Sequence, residues 1–391
     1  MQSKLKKVIQ PPEFLGILGG GQLGRFFTIA AQKMGYSVVV FDPDKQSPAG
    51  KIAEKHICKP YSDLKALDEL KASCNAVTTE FENVPAETLK YLEKDIIVRP
   101  SSKAISIAQN RINEKDFLKK CGIPVGPYVV IDSIESLSSI NEKHKIFPGI
   151  LKTAQFGYDG KGQIHVNNKI ELKTAFKNFK SVPCTFELKL NLDCEFSIVL
   201  ARTFNGDVMV FPLIRNHHES GILDCSSIHP NSIAEILENH AIKLAKKIAN
   251  ELSYVGVMAV EFFLSTDGLF VNEIAPRPHN SGHFSIDACV YNQFDQQVLT
   301  LAGDRLKKEV TKFPISLMLN LLGDLWFRNK NLKEPKFRMI TGPGINLHLY
   351  GKEEPRIGRK MGHITILGLK NESQKDVSKK AEAIRKILWE N

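Results

Sequence analysis

The sequence predicts an α/β (α+β) chain of two or three domains, and three observations predict it. Phe14–Leu18 is a short apolar strand that enters Gly19-Gly20-Gly21-Gln22-Leu23-Gly24, after which apolar residues recur at helical spacing. Further on, two apolar runs, 257–264 and 269–274, flank the turn signal Ser265-Thr266-Asp267-Gly268, which predicts a β-hairpin. The length, 391 residues, exceeds what one hydrophobic core usually serves.

The hairpin carries the first chemical signal. Glu261 and Glu273 lie at equal distance on either side of Asp267, so a loop centred there sets them opposite each other on one face. Directly opposed like charges destabilise a sheet. Such a pair needs a cation between its carboxylates, or one of them must hold a proton. Paired oxygen ligands suit Mg²⁺, which keeps waters and shares its shell with substrate phosphates. The bland alternative is two solvated acids, and the flanking Val, Met, Phe and Ile argue against it. The stretch Pro276-Arg277-Pro278-His279-Asn280-Ser281-Gly282 has no apolar period and reads as a loop built for contacts.

Composition excludes some classes. No apolar run reaches the length of a membrane helix, and no apolar core of a signal peptide precedes Pro11 and Pro12. The 7 cysteines stand singly without a C-x-x-C pair, which predicts neither a disulfide framework nor a zinc site and fits a reducing cytoplasm. The net charge of +10 suits nucleic acid or a phosphorylated small substrate, but the lysines are scattered rather than gathered with aromatics. A small substrate and no nucleic acid is therefore the expectation.

In chain order, the glycine turn matches G-x-G-x-x-G, the helix after it ends near Gly35, and a second strand closes on Asp42. This is a dinucleotide fingerprint whose physics is only a tight turn and a helix N-terminus open to an anion. Ala76–Thr79 reads as a strand that ends in Glu80-Phe81-Glu82, where open α/β sheets bind ligands; a solvated loop is the bland alternative. A strand at 96–98 stops at Arg99-Pro100, and one helical region, 103–120, carries Arg111 before Gly122-Ile123-Pro124. A strand at 146–152 ends in Lys152 and meets Gly157-Tyr158-Asp159-Gly160-Lys161-Gly162-Gln163. Three glycines in this loop allow backbone N–H groups to wrap a phosphate; a plain hairpin turn is the bland alternative. Strands are predicted at 184–190, 195–201 and 209–212, the last leading into Arg215-Asn216-His217-His218. Ser232-Ile233-Ala234-Glu235 reads as a capping box for a helix that buries Ile236, Leu237, Leu244 and Ile248. Past Gly303 the pattern weakens to short strands between Gly- and Pro-rich loops, until a last helix over 376–389 with apolar positions 377, 381, 384 and 388.

These pieces in this order resemble the ATP-grasp superfamily, and within it the family of N5-carboxyaminoimidazole ribonucleotide synthases of purine biosynthesis. The motifs that carry the resemblance are GGGQLGR, TTEFENVP, FGYDGKGQ, VMAVEFF, NEIAPRPHNSGH and GRKMGH, and they span nearly the whole chain. The resemblance implies a Rossmann-like preATP-grasp domain over 1–114, a mobile lid domain over 115–187, a central domain with the hairpin over 188–320, and a C-terminal mixed segment over 321–391 packed on it. ATP would lie between lid and hairpin. Arg111 and Lys152 would hold its phosphates under the loop Gly157, Tyr158, Asp159, Gly160, Lys161, Gly162 and Gln163. The backbone of Glu187, Leu188, Lys189 and Leu190 would read adenine, Glu195 the ribose, with His218 and Asn272 assisting. Glu261 and Glu273 would bind Mg²⁺. The aminoimidazole ribonucleotide would meet Gln22, Glu80, Tyr158, Asp159 and Lys161, a position where relatives often carry arginine. Its 5′-phosphate would meet Arg277, His279, Lys352 and Arg359. The catalytic groups would be Asp159, Lys161 and Arg277. Nothing is carried over for 320–338.

The implied reaction is ATP-dependent carboxylation of 5-aminoimidazole ribonucleotide with bicarbonate through carboxyphosphate, by a cytoplasmic homodimer that passes its product to a mutase. The nearest alternative is another ATP-grasp ligase, such as the formate-dependent glycinamide ribonucleotide transformylase. A more distant one is an NAD-dependent oxidoreductase built on the glycine turn, which leaves the carboxylate hairpin without a role.

Overall fold

A computed structural model describes residues 8–140, 145–155, 157, 161–308, 310–327 and 335–389. Of the predicted site residues, Tyr158, Asp159 and Gly160 lie outside this set. Among the described residues the chain builds three sheets.

The first sheet is parallel. It contains β1 (Phe14–Leu18), β2 (Ser37–Phe41), β3 (Lys55–Ile57), β4 (Ala76–Thr79) and β5 (Ile97–Val98) in the order β3-β2-β1-β4-β5. Strands such as Ala76–Thr79 are buried throughout, as helices on both faces require. The strand order reverses between β1 and β4, the place where open α/β sheets leave a crevice at their carboxyl ends. The glycine turn after β1 and Glu80 after β4 both sit there. The helix Gln22–Lys33 packs close on its own turn: a Cβ at Gly24 would lie 2.6 Å from the carbonyl oxygen of Gly19.

The second sheet is antiparallel, with β6 (Tyr128–Ile131), β7 (Gly149–Thr153), β8 (Gln163–Val166) and β9 (Cys184–Leu188) in the order β6-β9-β7-β8. It encloses a small core of its own around Leu151, Phe176 and Phe186. The third sheet has 9 strands: β10 (Leu192–Arg202), β11 (Val208–Val210), β12 (Ile214–Glu219), β13 (Ile222–Ile228), β14 (Gly256–Ser265), β15 (Gly268–Ala275), β16 (Ser316–Leu322), β17 (Ile345–Leu349) and β18 (Lys360–Leu367). Their order is β15-β14-β10-β12-β13-β16-β18-β17, with β11 beside β10. The region past Gly303, weak in sequence, thus continues the central sheet. The closing helix, Gln374–Trp389, buries Val377, Ala381, Ile384 and Leu388 against it, the four positions that its period predicts. Among the described residues no helix is long and apolar enough to cross a membrane.

Three local predictions are corrected. The region 103–120 is two helices, Ser102–Ala108 and Arg111–Lys120. Asn110 takes an extended conformation between them, and its side chain accepts from the amides of Ile112 and Asn113. Asparagine caps a helix better than it continues one, and the break makes Arg111 the first residue of the second helix. The capping box does not form. Asn231 turns left-handed (φ 60), Ser232 stays outside, and the helix Glu235–Glu251 starts from Ala234 without a side-chain cap. Its buried stripe is Ala241, Leu244, Ala245 and Ile248, which leaves Ile236 79% exposed.

The hairpin is β14–β15, and Glu261 pairs with Glu273. Equal spacing about Asp267 is not the cause. Ser265 pairs with Gly268, and from that turn an unbroken ladder would set Glu261 against Asn272. A β-bulge at Asn272 supplies the extra residue that brings Glu273 into place.

Gly24→Ala should cost about 1–3 kcal/mol, because its methyl group meets a backbone carbonyl that cannot move without opening the turn. Denaturant unfolding checks this; an unchanged midpoint would show that the turn relaxes freely.

Candidate active site

Charged side chains from the helix Arg111–Lys120, the second sheet and the hairpin meet where that sheet faces the hairpin. Arg111, at the start of its helix, places Nη2 3.0 Å from Glu273 Oε2 and Nη1 3.9 Å from Glu187 Oε1. Glu187 stands on β9 and is the hub. Its Oε2 lies 3.0 Å from Lys152 Nζ on β7 and 3.4 Å from Lys115 Nζ, and its Oε1 accepts from Thr185 Oγ1 at 3.1 Å. On the other side of the hairpin, His279 Nε2 lies 3.3 Å from Glu261 Oε1, and His218 Nδ1 lies 2.6 Å from Glu195 Oε2. Sequence reasoning placed Arg111, Lys152, Glu195, His218, Glu261 and Glu273 in one site, and the fold brings them together.

Burial opposes ionisation of Glu187, but Lys115, Lys152 and Arg111 outweigh it and hold its carboxyl well below the usual range. Burial also pulls the Lys152 ammonium down, against the pull of Glu187. The facing acids divide. Burial and then the Glu273 charge push Glu261 up. Burial acts the same way on Glu273, but Arg111 outweighs it and the carboxyl is lowered. Burial and the nearby Arg277 charge hold His279 neutral. The Ser281 amide donates to its Nδ1 at 3.3 Å, which leaves the Nε2 proton facing Glu261. Among the described residues, the buried atoms without a hydrogen-bond partner include Arg111 Nη1, a donor fit for an anion, and Asn272 Oδ1, a hard oxygen beside the two carboxylates. Glu261, Glu273 and Asn272 therefore form an oxygen donor set suited to a hard divalent cation.

The glycine loop connects β7 to β8 as a hairpin, with Lys152 paired to Gln163 and the Thr153 amide bonded to the Gly162 carbonyl at 2.9 Å. Gly162 has φ +74, and a Cβ there would lie 2.6 Å from Thr153 Oγ1. Gly157 and Lys161 are exposed at its rim. In the segment predicted to read adenine, the amides of Leu188 and Lys189 are bonded to the carbonyls of Pro127 and Pro148, both at 2.9 Å. The Glu187 side chain, expected only as part of that backbone, turns out to be the centre of the charge network.

A second cluster forms at the crevice of the parallel sheet. Gly21 N donates to Glu80 Oε1 at 2.6 Å, and Gly20 N donates to Asp42 Oδ2 at 2.7 Å. The amides that a dinucleotide fingerprint offers to pyrophosphate are thus taken by the chain's own acids. Burial pushes the Glu80 carboxyl up, against the Gly21 and Gly24 amides that favour its charge. Lys352 Nζ reaches across from the C-terminal segment to Gln22 Oε1 at 2.6 Å and to the Lys360 carbonyl at 2.7 Å. Arg277 pairs with Glu82 at 2.7 Å. Arg359 donates to the Glu354 carbonyl of its own loop at 2.7 Å.

Sequence reasoning missed Glu114 and Lys115. A signal existed: they stand three and four residues after Arg111, on the same helix face. It also passed over Asn320, which is buried and bonds Asn280 and the Leu223 carbonyl. Asp287, His348 and His363 lie close together, but the two imidazoles stack at 18° with centroids 4.6 Å apart. Nearly parallel rings do not aim their lone pairs at one ion, and His363 Nδ1 is engaged by the Tyr350 hydroxyl at 2.9 Å. This group packs the junction beneath Phe26.

Comparison with known proteins agrees along the chain. Three family models match: "Ribonucleotide synthetase preATP-grasp domain" over residues 13–109, "ATP-grasp domain" over 116–294, and "Phosphoribosylaminoimidazole carboxylase C-terminal domain" over 316–376. The N5-carboxyaminoimidazole ribonucleotide synthase of Staphylococcus aureus (strain COL) is 39% identical over 370 residues, which cover 94% of this chain and 96% of the relative. The chain belongs to the N5-carboxyaminoimidazole ribonucleotide synthase family. The Bacillus subtilis (strain 168) member is 37% identical, with 93% of each chain covered. Among solved family structures, the Staphylococcus aureus synthetase complexed with ADP superposes with a TM-score of 0.88 at 36% identity, covering 97% of this chain and 99% of that one. The Aspergillus clavatus synthase in complex with ADP and 5-aminoimidazole ribonucleotide gives 0.85 at 26% identity, covering 97% and 99%. The ATP-grasp fold with its preATP-grasp domain is thus the fold of this chain.

Glu187→Gln should destabilise the protein at pH 7 by about 3–5 kcal/mol, since three buried cations lose their counter-charge. The folded carboxyl is depressed, so its contribution is full above the unfolded value, about 4.3, and fades as pH falls towards the lower folded value. The deficit should hold from pH 7 to 5 and narrow by pH 3 in denaturant melts. A deficit constant down to pH 3 would mean that the folded and unfolded values coincide.

Proposed function

We propose that this chain is an ATP-dependent carbon–nitrogen ligase that carboxylates 5-aminoimidazole ribonucleotide with bicarbonate, giving N5-carboxyaminoimidazole ribonucleotide, ADP and phosphate in purine biosynthesis. The observation that carries the reading is the pairing of two sites in one family fold. Buried cations and an unpartnered Arg111 N–H face the carboxylate hairpin. A second polar cluster around Gln22, Glu80, Arg277 and Lys352 lies at the crevice of the first sheet.

Arg111 and Lys152 bind the ATP phosphates, and the β7–β8 loop with Gly157, Lys161, Gly162 and Gln163 closes over them. Glu195 with His218 receives the ribose. Adenine is read along 187–190 by carbonyls and the Leu190 backbone, because the Leu188 and Lys189 amides are occupied. Glu261 and Glu273, beside the unpartnered Asn272 Oδ1, hold Mg²⁺. When bound, the ion neutralises charge on the transferring phosphoryl group. Bicarbonate oxygen attacks the γ-phosphorus, the bond to the ADP oxygen breaks, and carboxyphosphate forms. The exocyclic amine of the ribonucleotide then attacks the carboxyl carbon, phosphate leaves, and the amine proton passes to a base. Asp159, outside the described residues, is assigned that base. Carboxyphosphate hydrolyses in water, so exclusion of solvent by the glycine loop is part of the chemistry.

Arg277, Lys352 and Arg359 receive the 5′-phosphate, Arg359 through N–H groups not given to the Glu354 carbonyl, whereas His279, expected beside them, is held between Ser281 and Glu261. On the same reading the enzyme is a cytoplasmic homodimer that hands its product to a mutase. A formyl transfer is separated from carboxylation by supplying formate in place of bicarbonate; phosphate release dependent on bicarbonate and the aminoimidazole substrate supports the proposal, and dependence on formate refutes it.

Two substitutions test the two poles. Glu273→Gln should abolish turnover in a folded protein with little rescue by excess Mg²⁺; near-normal turnover would remove the acid from the cation site. Lys352→Met should raise KM for the aminoimidazole ribonucleotide about tenfold to a hundredfold, the loss of a charged hydrogen bond worth roughly 1.5–3 kcal/mol. KM for ATP should not move. Varying each substrate in turn decides it, and a change confined to ATP would place the ribonucleotide elsewhere.

A further inference from the structure

The hairpin turn alone does not bring its two acids together. It sets Glu261 against Asn272, and only the bulge puts Glu273 there instead. A slip of one residue turns a strand's side chains to the other face. Whatever holds the bulge therefore decides whether the acids meet.

β15 ends its sheet, with β14 on one side only, so its outer backbone groups need other partners. The 111–125 segment supplies them. The Pro124 carbonyl accepts from the Val271 amide at 2.8 Å. Lys115 Nζ donates to the Asn272 carbonyl at 3.3 Å, and Glu114 Oε1 accepts from the Ile274 amide at 2.5 Å. The last two bonds straddle Glu273. Both side chains are almost wholly buried, at 2% and 1% exposure. Burying such groups is costly, and the Arg111 charge beside Glu114, the Glu187 carboxylate 3.4 Å from Lys115 and these backbone bonds together offset that cost.

We propose that Glu114 and Lys115 are positioning residues that hold the Asn272 bulge and thereby keep Glu273 opposite Glu261. The proposal rests on the reading of that pair as the cation-holding acids. The two bonds grip backbone atoms on either side of Glu273 and touch none of the reacting groups. Lys115 also lies 3.4 Å from Glu187, so one side chain joins the hairpin register to the second sheet.

The test is a Mn²⁺ titration of the full chain with ADP, followed by electron paramagnetic resonance, together with thermal melting. Glu114→Leu removes the acceptor, and its Mn²⁺ affinity should fall about tenfold or more in the folded fraction, the scale on which outer-shell partners tune metal sites. Glu114→Gln keeps an oxygen for the Ile274 amide and should rescue most of that loss. Lys115→Met should weaken Mn²⁺ binding in the same direction and serves alone if Glu114→Leu does not fold. Glu273→Gln runs alongside. Unchanged Mn²⁺ affinity in Glu273→Gln overturns the cation reading of the pair. Loss there, with wild-type affinity in folded Glu114→Leu or Lys115→Met, overturns the positioning proposal. So does a Glu114→Gln variant as weak as Glu114→Leu, because charge rather than the backbone bond would then be responsible.

Discussion

Two carboxylates set face to face in a buried hairpin repel each other, and the surrounding structure is arranged around relieving that repulsion. Arg111 draws Glu273 towards its ionised form, while Glu261 is left to burial, its neighbour's charge and the Nε2–H of His279. The result is an unequal pair, one acid engaged by a fixed cation and the other pushed towards its neutral form. Removing the Arg111 helix or the loop that carries His279 would leave the hairpin unable to bury both acids.

The same helix ties the second sheet to the hairpin. Arg111 touches Glu187 as well as Glu273, and Lys115 touches Glu187 as well as the Asn272 carbonyl. Glu187 in turn acts as an internal counter-ion for three cations aimed at one place. Cations held in position beforehand need little reorganisation when an anion arrives, which is the condition for strong electrostatic stabilisation in a dry site. The cost of keeping them buried without a ligand is met by a carboxylate that is itself nearly inaccessible.

The glycine turn shows how one local motif serves different chemistry. Its six residues make the same tight turn and expose the same amides as a dinucleotide fingerprint. Here Asp42 and Glu80 fill those amides, and Lys352 approaches Gln22 from more than 300 residues away. The turn becomes a wall of a polar crevice shared with the C-terminal segment, and the dinucleotide alternative loses its anion pocket.

Much of the fold was legible because its signals are local. Period and turn chemistry placed β1, β4, the helix Gln22–Lys33 and the closing helix within a few residues, and the motifs implied the family. The failures were also local in kind. Asn110 capped a helix instead of continuing it, and Ser232 lay outside the helix it was expected to cap. What the sequence by itself determined was which segments form strands and helices and which residues carry charge into them, because period and turn preference act within a few residues. Only the tertiary structure decided that a bulge brings Glu273 to Glu261, that Glu114 and Lys115 grip the strand around it, that Glu187 gathers three cations, and that the stretch past Gly303 extends the central sheet. Arg111 meets Glu273 across 162 residues and Lys352 meets Gln22 across 330, and partners so far apart leave no periodic trace in the chain.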